Sequence, residues 1–270
     1  GVQVFGQEVN GLTSSIARMN LYLNGVEDFS IACADTLENP AFLDGSQLRK
    51  FDIVLANPPY SIKEWSREKF MNDKWGRNFL GTPPQGRADY AFIQHILASM
   101  NEENGRCAIL LPHGVLNRLG EERDIRKNLV NIDKIDTIIS IGKNLFYNSP
   151  MEACIILCDN NKPNEYKNKI RFIYATDLVQ RVDGESYLSN ENINDIVRFY
   201  KSKKNIDGRV AIVDNNEIEK NDFSLFTKRY IKVTIDNSEY ISVEDGVESW
   251  RISSLRLHSE YELLINNIVS

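Results

Sequence analysis

Residues 51–60 read FDIVLANPPY, an apolar run that stops on Asn57, Pro58, Pro59 and Tyr60. The run from Phe51 to Ala56 has the length of a strand and is nearly all apolar, the composition of a strand buried on both faces of a sheet. N-P and P-P are turn dipeptides, so the chain leaves the strand at Asn57. The two prolines fix the backbone there at little entropic cost. In an open α/β sheet, ligands bind outside the carboxyl ends of the strands, and Asn57 leaves such an end.

Outward from this run, the first 160 residues alternate strand-like and helix-like segments. Short apolar runs predict strands over Gln3–Glu8, Phe29–Ala34, Arg106–Leu111, Lys134–Ile141 and Ala153–Cys158, with a loop between the last two. Helices are predicted over Val9–Asn24, Ala88–Asn104 and Glu121–Leu129. In the first of them Val9, Leu12, Ile16, Met19 and Leu23 share one face, and Gly25 stands where a capping glycine is expected. The alternation implies a mostly parallel sheet with helices on both faces. After Asn160 the polar stretch NKPNEYKNK reads as a linker. Beyond it, strands are predicted over Ile170–Tyr174, Val210–Val213 and Tyr230–Thr234, and helices over Glu191–Lys201 and Ser254–Val269. Two parts are expected: residues 1–160 as an α/β domain and residues 161–270 as a smaller α+β extension.

Asn57 and Pro58 suit one kind of chemistry. An amino group conjugated to an aromatic ring or a carbonyl is a poor nucleophile, because its lone pair is delocalised. The Asn57 side-chain oxygen and the Pro58 carbonyl, both accepting its hydrogens, would favour a pyramidal nitrogen with the lone pair free. Preorganised acceptors of this kind stabilise the charge that develops as the nitrogen attacks. Tyr60 offers a flat face for a planar substrate.

The chain has 270 residues, 42% of them apolar, and a net charge of −6. That is enough apolar material for a core. The acidic balance argues against holding nucleic acid by bulk electrostatics alone. No apolar run approaches the ~18–20 residues of a membrane helix, and the N-terminus does not read as a signal peptide. The expectation is a cytoplasmic protein without a membrane contact. Cys33, Cys107, Cys154 and Cys158 lie in or beside apolar runs with no CxxC pair, so four reduced, buried thiols and no metal site are expected. His95 and His113 have no neighbouring nucleophile pattern and read as structural. Lys201, Lys203, Lys204 and Arg209 read as a solvated helix end.

Six segments together carry a family resemblance. FGQEVN (5–10), FDIVLANPPYSIKEW (51–65), GTPPQGRADYAFIQHIL (81–97), GRCAILLPHGVLNR (105–118), IGKNLFYNSPMEACIIL (141–157) and VAIVDNNEIEKNDFSLFTKRYI (210–231) resemble, in the same order, the modification subunit of type I restriction-modification systems. That family comprises N6-adenine DNA methyltransferases that use S-adenosylmethionine. The resemblance implies a Rossmann-like class I methyltransferase sheet. It implies catalytic roles for Asn57, Pro58, Pro59 and Tyr60, and places Glu8 on the cofactor ribose and Asp35 at the cofactor adenine. It makes Phe146 the aromatic against a flipped-out base, and sets residues 61–87, with Trp65 and Trp75, beside DNA. The implied partners are double-stranded DNA, a specificity subunit and a restriction subunit. Asn-Pro-Pro-Tyr alone does not separate adenine methylation from methylation of a protein glutamine amide. A third reading is a non-catalytic assembly fragment that binds a specificity subunit.

The family's glycine-rich turn after the first strand of the sheet has no counterpart. No two of the fifteen glycines stand two residues apart. The expectation is a sheet that lacks its central first strand, with unpaired backbone at the gap.

Overall fold

Local signals start and stop the first elements. The Asn10 side chain accepts the N–H groups of Leu12 and Thr13 and so caps α1 (Gly11–Leu23). Gly25 closes that helix at φ +73°, and the Val26 N–H reaches back to the Leu21 carbonyl at 3.0 Å. On either side lie β1 (Val4–Glu8) and β2 (Phe29–Cys33), paired in parallel from Val4 opposite Phe29 to Glu8 opposite Cys33. The chain continues through the hairpin β3 (Leu43–Asp44) and β4 (Gln47–Leu48) into β5 (Ile53–Ala56), α2 (Arg67–Met71), α3 (Asp89–Ser99) and β6 (Arg106–Pro112). Next come α4 (Glu121–Asn131), β7 (Ile135–Ile141), β8 (Ala153–Asp159) and β9 (Lys169–Ala175). The hairpin β10 (Gln180–Val182) and β11 (Glu185–Tyr187), then α5 (Asn190–Lys201), β12 (Val210–Asp214) and α6 (Asn215–Lys220) complete the order. The computed structural model describes residues 1–145, 151–182, 185–231, 247, 248 and 250–254.

The main sheet has six strands in the order β12-β9-β7-β8-β6-β5. β5 and β6 are parallel, as are β7 and β9, while β8 runs against both its neighbours and β12 against β9. Four of the six strands therefore share one direction. Side chains from α3 and α4, among them Ile93, Leu97, Ile125 and Leu129, pack with Ile109, Leu111, Ile138 and Ile156 of the sheet. On the opposite face Phe199 and Ile196 of α5 pack with Ile139, Ile141, Ile173 and Val210. The mixed, largely parallel α/β sheet with helices on both faces is the expected fold class.

The break in the sheet falls between β1 and β5. Among the described residues β1 bonds only to β2, and β5 only to β6. The Phe5 ring of β1 packs 5.5 Å from the ring of Phe51, just before β5. The expectation was an unpaired gap at the centre of the sheet, with no neighbouring strands named for it.

The same break changes two packing expectations. β5 is not buried on both faces. Val54 and Ala56 face the core, whereas Ile53 and Leu55 are 69% and 76% exposed. The predicted apolar face of α1 is exposed as well, at Val9, Leu12, Ile16, Met19 and Leu23. The buried residue of that helix is instead Ser14, whose hydroxyl accepts from Arg18. Periodicity marked the right face as apolar, but no described element lies against it.

Strands from beyond residue 160 join the main sheet, since β9 pairs with β7 and β12 with β9. The chain divides into the compact units Gly1–Val233 and Thr234–Ser270, so residue 160 lies inside the first. Near the end of that unit Thr227–Arg229 forms a short 3-10 turn, and Tyr230 and Ile231 are not in a strand. The rest of the predicted strand to Thr234, and the predicted helix beyond Ser254, lie outside the described residues.

Candidate active site

The carboxyl ends of β1 and β2 hold the two candidate acids. Glu8 is the last residue of β1, and its backbone carbonyl accepts the N–H of Ala34, the neighbour of Asp35. One Glu8 carboxylate oxygen accepts the Asn10 N–H at 2.8 Å, fixing the turn into α1. Asp35 Oδ1 accepts the N–H groups of Leu37 and Glu38 at 2.8 and 3.0 Å, an Asx turn. Each acid thus turns one oxygen onto local backbone at the ends of paired parallel strands.

The Asn57–Tyr60 turn leaves the carboxyl end of β5. Asn57 and Pro59 are exposed, Pro58 is buried and Tyr60 is half-buried. Burial, with Cys154 close by, pushes the Tyr60 hydroxyl above its ordinary range, so the phenol stays neutral. Asn57 borders an open cavity of about 330 Å³ with Leu55, Ala56, Ala108, Leu110 and Ile155. Phe146 lies outside the described residues.

Residues 61–87 fold as a packed element rather than a solvated loop. Trp65 and Phe70 cluster with Leu37, Ala88 and Ala91. The Trp65 indole N–H donates to the Gln85 carbonyl at 2.9 Å, and Arg67 donates to the Pro83 carbonyl at 2.8 Å. Arg77 is 1% exposed and ties this element to the Asp35 turn. Its guanidinium donates to the carbonyls of Thr36 and Leu37 at 2.9 and 2.7 Å and pairs with Asp73 at 2.7 Å. Burial raises the Asp73 carboxyl, but the side-chain and backbone hydrogen bonds from Arg77 outweigh it and hold Asp73 below the usual carboxylate range.

Of the three histidines, His95 and His113 are held within the fold, and His258 lies outside the described residues. His95 Nδ1 lies 3.3 Å from Arg77, and burial followed by the Arg77 charge pushes its pKa down to about 3. Burial also lowers His113, whose Nε2 lies 3.1 Å from Ser140 Oγ. Cys107, Cys154 and Cys158 are buried as expected, but Cys33 is exposed, because it stands at the open end of the two-stranded sheet. In the basic cluster Arg209 pairs with Asp177 and Lys203 with Glu165. No helix among the described residues is long and apolar enough to cross a membrane.

Sequence reading singled out neither Asp73 and Arg77 nor Asp89 and Arg118. Asp89 and Arg118 meet behind the Asn57–Tyr60 turn at 2.8 Å. Only Asp89 left a visible signal, as the one charged residue in the segment ADYAFI (88–93).

Comparison with known proteins identifies the family. Residues 1–239 match the family model described as N-6 DNA Methylase. The type I restriction enzyme MjaVIII methylase subunit of Methanocaldococcus jannaschii is 33% identical over 271 aligned positions, covering 96% of this chain and 46% of that protein. The HindI methylase subunit of Haemophilus influenzae is 30% identical over 240 positions, covering 85% of this chain and 52% of that protein. The crystal structure of a type I restriction-modification methyltransferase subunit from Streptococcus thermophilus superposes with a TM-score of 0.79 at 35% identity, over 86% of this chain and 49% of that one. The chain thus spans about half the length of the relatives it matches. With the family model matched over residues 1–239 of its 270, the chain belongs to the N-6 DNA methylase family.

Proposed function

We propose that this chain is the methyl-transfer part of a type I modification subunit, which methylates adenine N6 in double-stranded DNA. The observation that carries the reading is the Asn57–Tyr60 turn at the carboxyl end of a parallel strand, in a chain of this family. The Asn57 amide oxygen and the Pro58 carbonyl accept the two hydrogens of the adenine amino group and free its lone pair for attack. Pro58 and Pro59 hold those acceptors in place. Tyr60 stacks on the base, which leaves the duplex to reach the turn. Phe146 is assigned to the second face of the base on resemblance alone.

Glu8 and Asp35 fit S-adenosylmethionine. Their carboxylates stand at neighbouring strand ends, where an acid accepts from ribose hydroxyls or from an adenine amino group. The cofactor, when bound, supplies the methyl group. Specificity and restriction subunits are the proposed partners, consistent with an acidic chain that does not read DNA by charge alone. A glutamine-amide acceptor is disfavoured, because the relatives are named as restriction-enzyme methylase subunits.

The test is transfer of tritiated methyl groups to DNA by the full-length subunit assembled with its specificity partner. The reading expects N6-methyladenine as product and loss of transfer in Asn57→Ala. Wild-type rates in Asn57→Ala would refute it.

A further inference from the structure

The residue after the tetrapeptide is held in an unfavourable conformation. Ser61 has φ +50°, the left-handed region that costs a residue with a side chain about 1–2 kcal/mol. Such a conformation persists only where the surroundings over-determine it.

What over-determines Ser61 is a buried carboxylate. Asp89, fully buried at the first turn of α3, accepts the Ser61 N–H at 2.8 Å and the Ser61 hydroxyl at 3.3 Å. Arg118, which follows β6, donates to Asp89 at 2.8 Å and to Glu122 of α4 at 3.2 Å through one nitrogen. Through the other it donates to the Ser61 hydroxyl at 3.3 Å. Arg87 pairs with the second oxygen of the fully buried Glu122 at 3.1 Å. Two cations and two carboxylates thus balance. Gly114 makes room for the arrangement, since a Cβ there would come within 2.7 Å of Arg118 Nε.

Packing alone does not ask for this network. A buried ion cluster stabilises a fold no better than apolar side chains of the same volume. Its hydrogen bonds converge on the backbone and hydroxyl of the one residue that follows Tyr60.

We propose that Asp89 and Arg118 are positioning residues, a brace that fixes the chain at Ser61 and so keeps the acceptors of the Asn57–Tyr60 turn aimed. The inference rests on the reading of that turn as the methyl-transfer site. Neither residue touches substrate. They act through the Ser61 backbone, so they govern the rate of transfer and not the binding of DNA or cofactor.

The experiment uses the full-length subunit with its specificity partner and cognate DNA, and measures kcat, both KM values and Tm. Asp89→Asn keeps one acceptor for the Ser61 N–H but removes the carboxylate that Arg118 needs. Arg118→Lys keeps the charge but loses the fork between Asp89 and Ser61. Each variant is expected to lower kcat about tenfold or more, with KM values within about twofold, as for a reacting group displaced by a fraction of an ångström. Adding Ser61→Gly to Asp89→Asn is expected to recover most of the lost kcat, because glycine adopts the positive φ unaided. Unchanged kcat in both single variants, or kcat and Tm falling together without rescue by glycine, overturns the brace. Asn57→Ala run in parallel separates the two readings. If it transfers methyl groups as the wild type does, the site assignment fails and the brace with it. If it is dead while Asp89→Asn and Arg118→Lys are normal, the brace alone fails.

Discussion

Arg77 donates to the Leu37 carbonyl at 2.7 Å, joining the turn that follows Asp35 to the segment that follows the Asn-Pro-Pro-Tyr turn. The same guanidinium pairs with buried Asp73 and lies 4.8 Å from the Trp75 ring centroid. The candidate cofactor loop and the candidate DNA-facing element are therefore joined through one buried guanidinium.

Arg77→Ala should strand the Asp73 charge and the carbonyls of Thr36 and Leu37. Breaking a buried pair by removing one partner costs about 3–5 kcal/mol. At roughly 2–4 °C per kcal/mol for a chain of this size, Tm should drop by about 10 °C. Arg77→Met combined with Asp73→Asn should lose less than Arg77→Ala, because no charge is left unpaired. Thermal unfolding of the three proteins checks the order.

Tyr60 should act through its ring, on which the planar base stacks. Tyr60→Phe should retain transfer, while Tyr60→Ala should lose base stacking worth about 1–3 kcal/mol. Steady-state methylation of cognate DNA by both variants, with 2-aminopurine fluorescence at the target position, separates the two contributions. Equal loss in both variants would assign the role to the hydroxyl.

What was legible in the sequence was local. Gly25 and the apolar runs set element ends to within a few residues, because caps and periodicity act over neighbouring positions, while the Asn10 cap went unread. The turn dipeptides at the end of β5 marked Asn57 for the same reason, whereas Glu8 and Asp35 were marked only by the family resemblance. The reversal of β8 left a trace too, since no helix was predicted between it and β7, and antiparallel strands need none. Arg77 and Leu37 stand 40 residues apart, and Arg118 and Ser61 57 apart, so no local pattern links them. The exposed Ile16, Met19, Ile53 and Leu55 show the other limit. Periodicity tells which face is apolar but not whether a neighbour covers it.

His95 should make the fold acid-sensitive. Its pKa is pushed down to about 3 from an ordinary 6.5. Between those values the unfolded chain takes up a proton that the folded chain refuses, so stability falls as pH drops through the window. The slope reaches about 1.4 kcal/mol per pH unit. The depressed Asp73 carboxyl loses its contribution only at lower pH, and the buried Glu122 carboxyl, raised by burial, acts in the opposite sense. The difference between wild type and His95→Gln isolates the histidine. Denaturant titrations from pH 7 to 5 should show the shallower decline in His95→Gln, whose amide oxygen can still accept from Arg77.

Cofactor affinity should depend on more than the two acids. On the proposed reading Glu8 and Asp35 hold a ribose and an adenine, but the 270 residues hold no glycine-rich turn to approach the rest of S-adenosylmethionine. Calorimetry on these residues alone should show binding at least about tenfold weaker than on a full-length subunit, which is about 1.4 kcal/mol. Equal micromolar affinity in both would show that the acids and their strand ends suffice.

The exposed apolar surfaces should dominate how these 270 residues behave in isolation. Among the described residues Leu12, Ile16, Met19 and Leu23 on α1 are exposed, as are Ile53 and Leu55 on an edge strand. An uncovered apolar face beside unpaired strand edges is a template for self-association. Ile16→Glu with Met19→Lys should leave stability within about 0.5 kcal/mol, as for surface substitutions in general. The same pair should lower the apparent mass at high concentration. Sedimentation velocity over a concentration series, with denaturant unfolding in parallel, measures both. A large loss of stability with unchanged association would mean that this face is already packed within the chain.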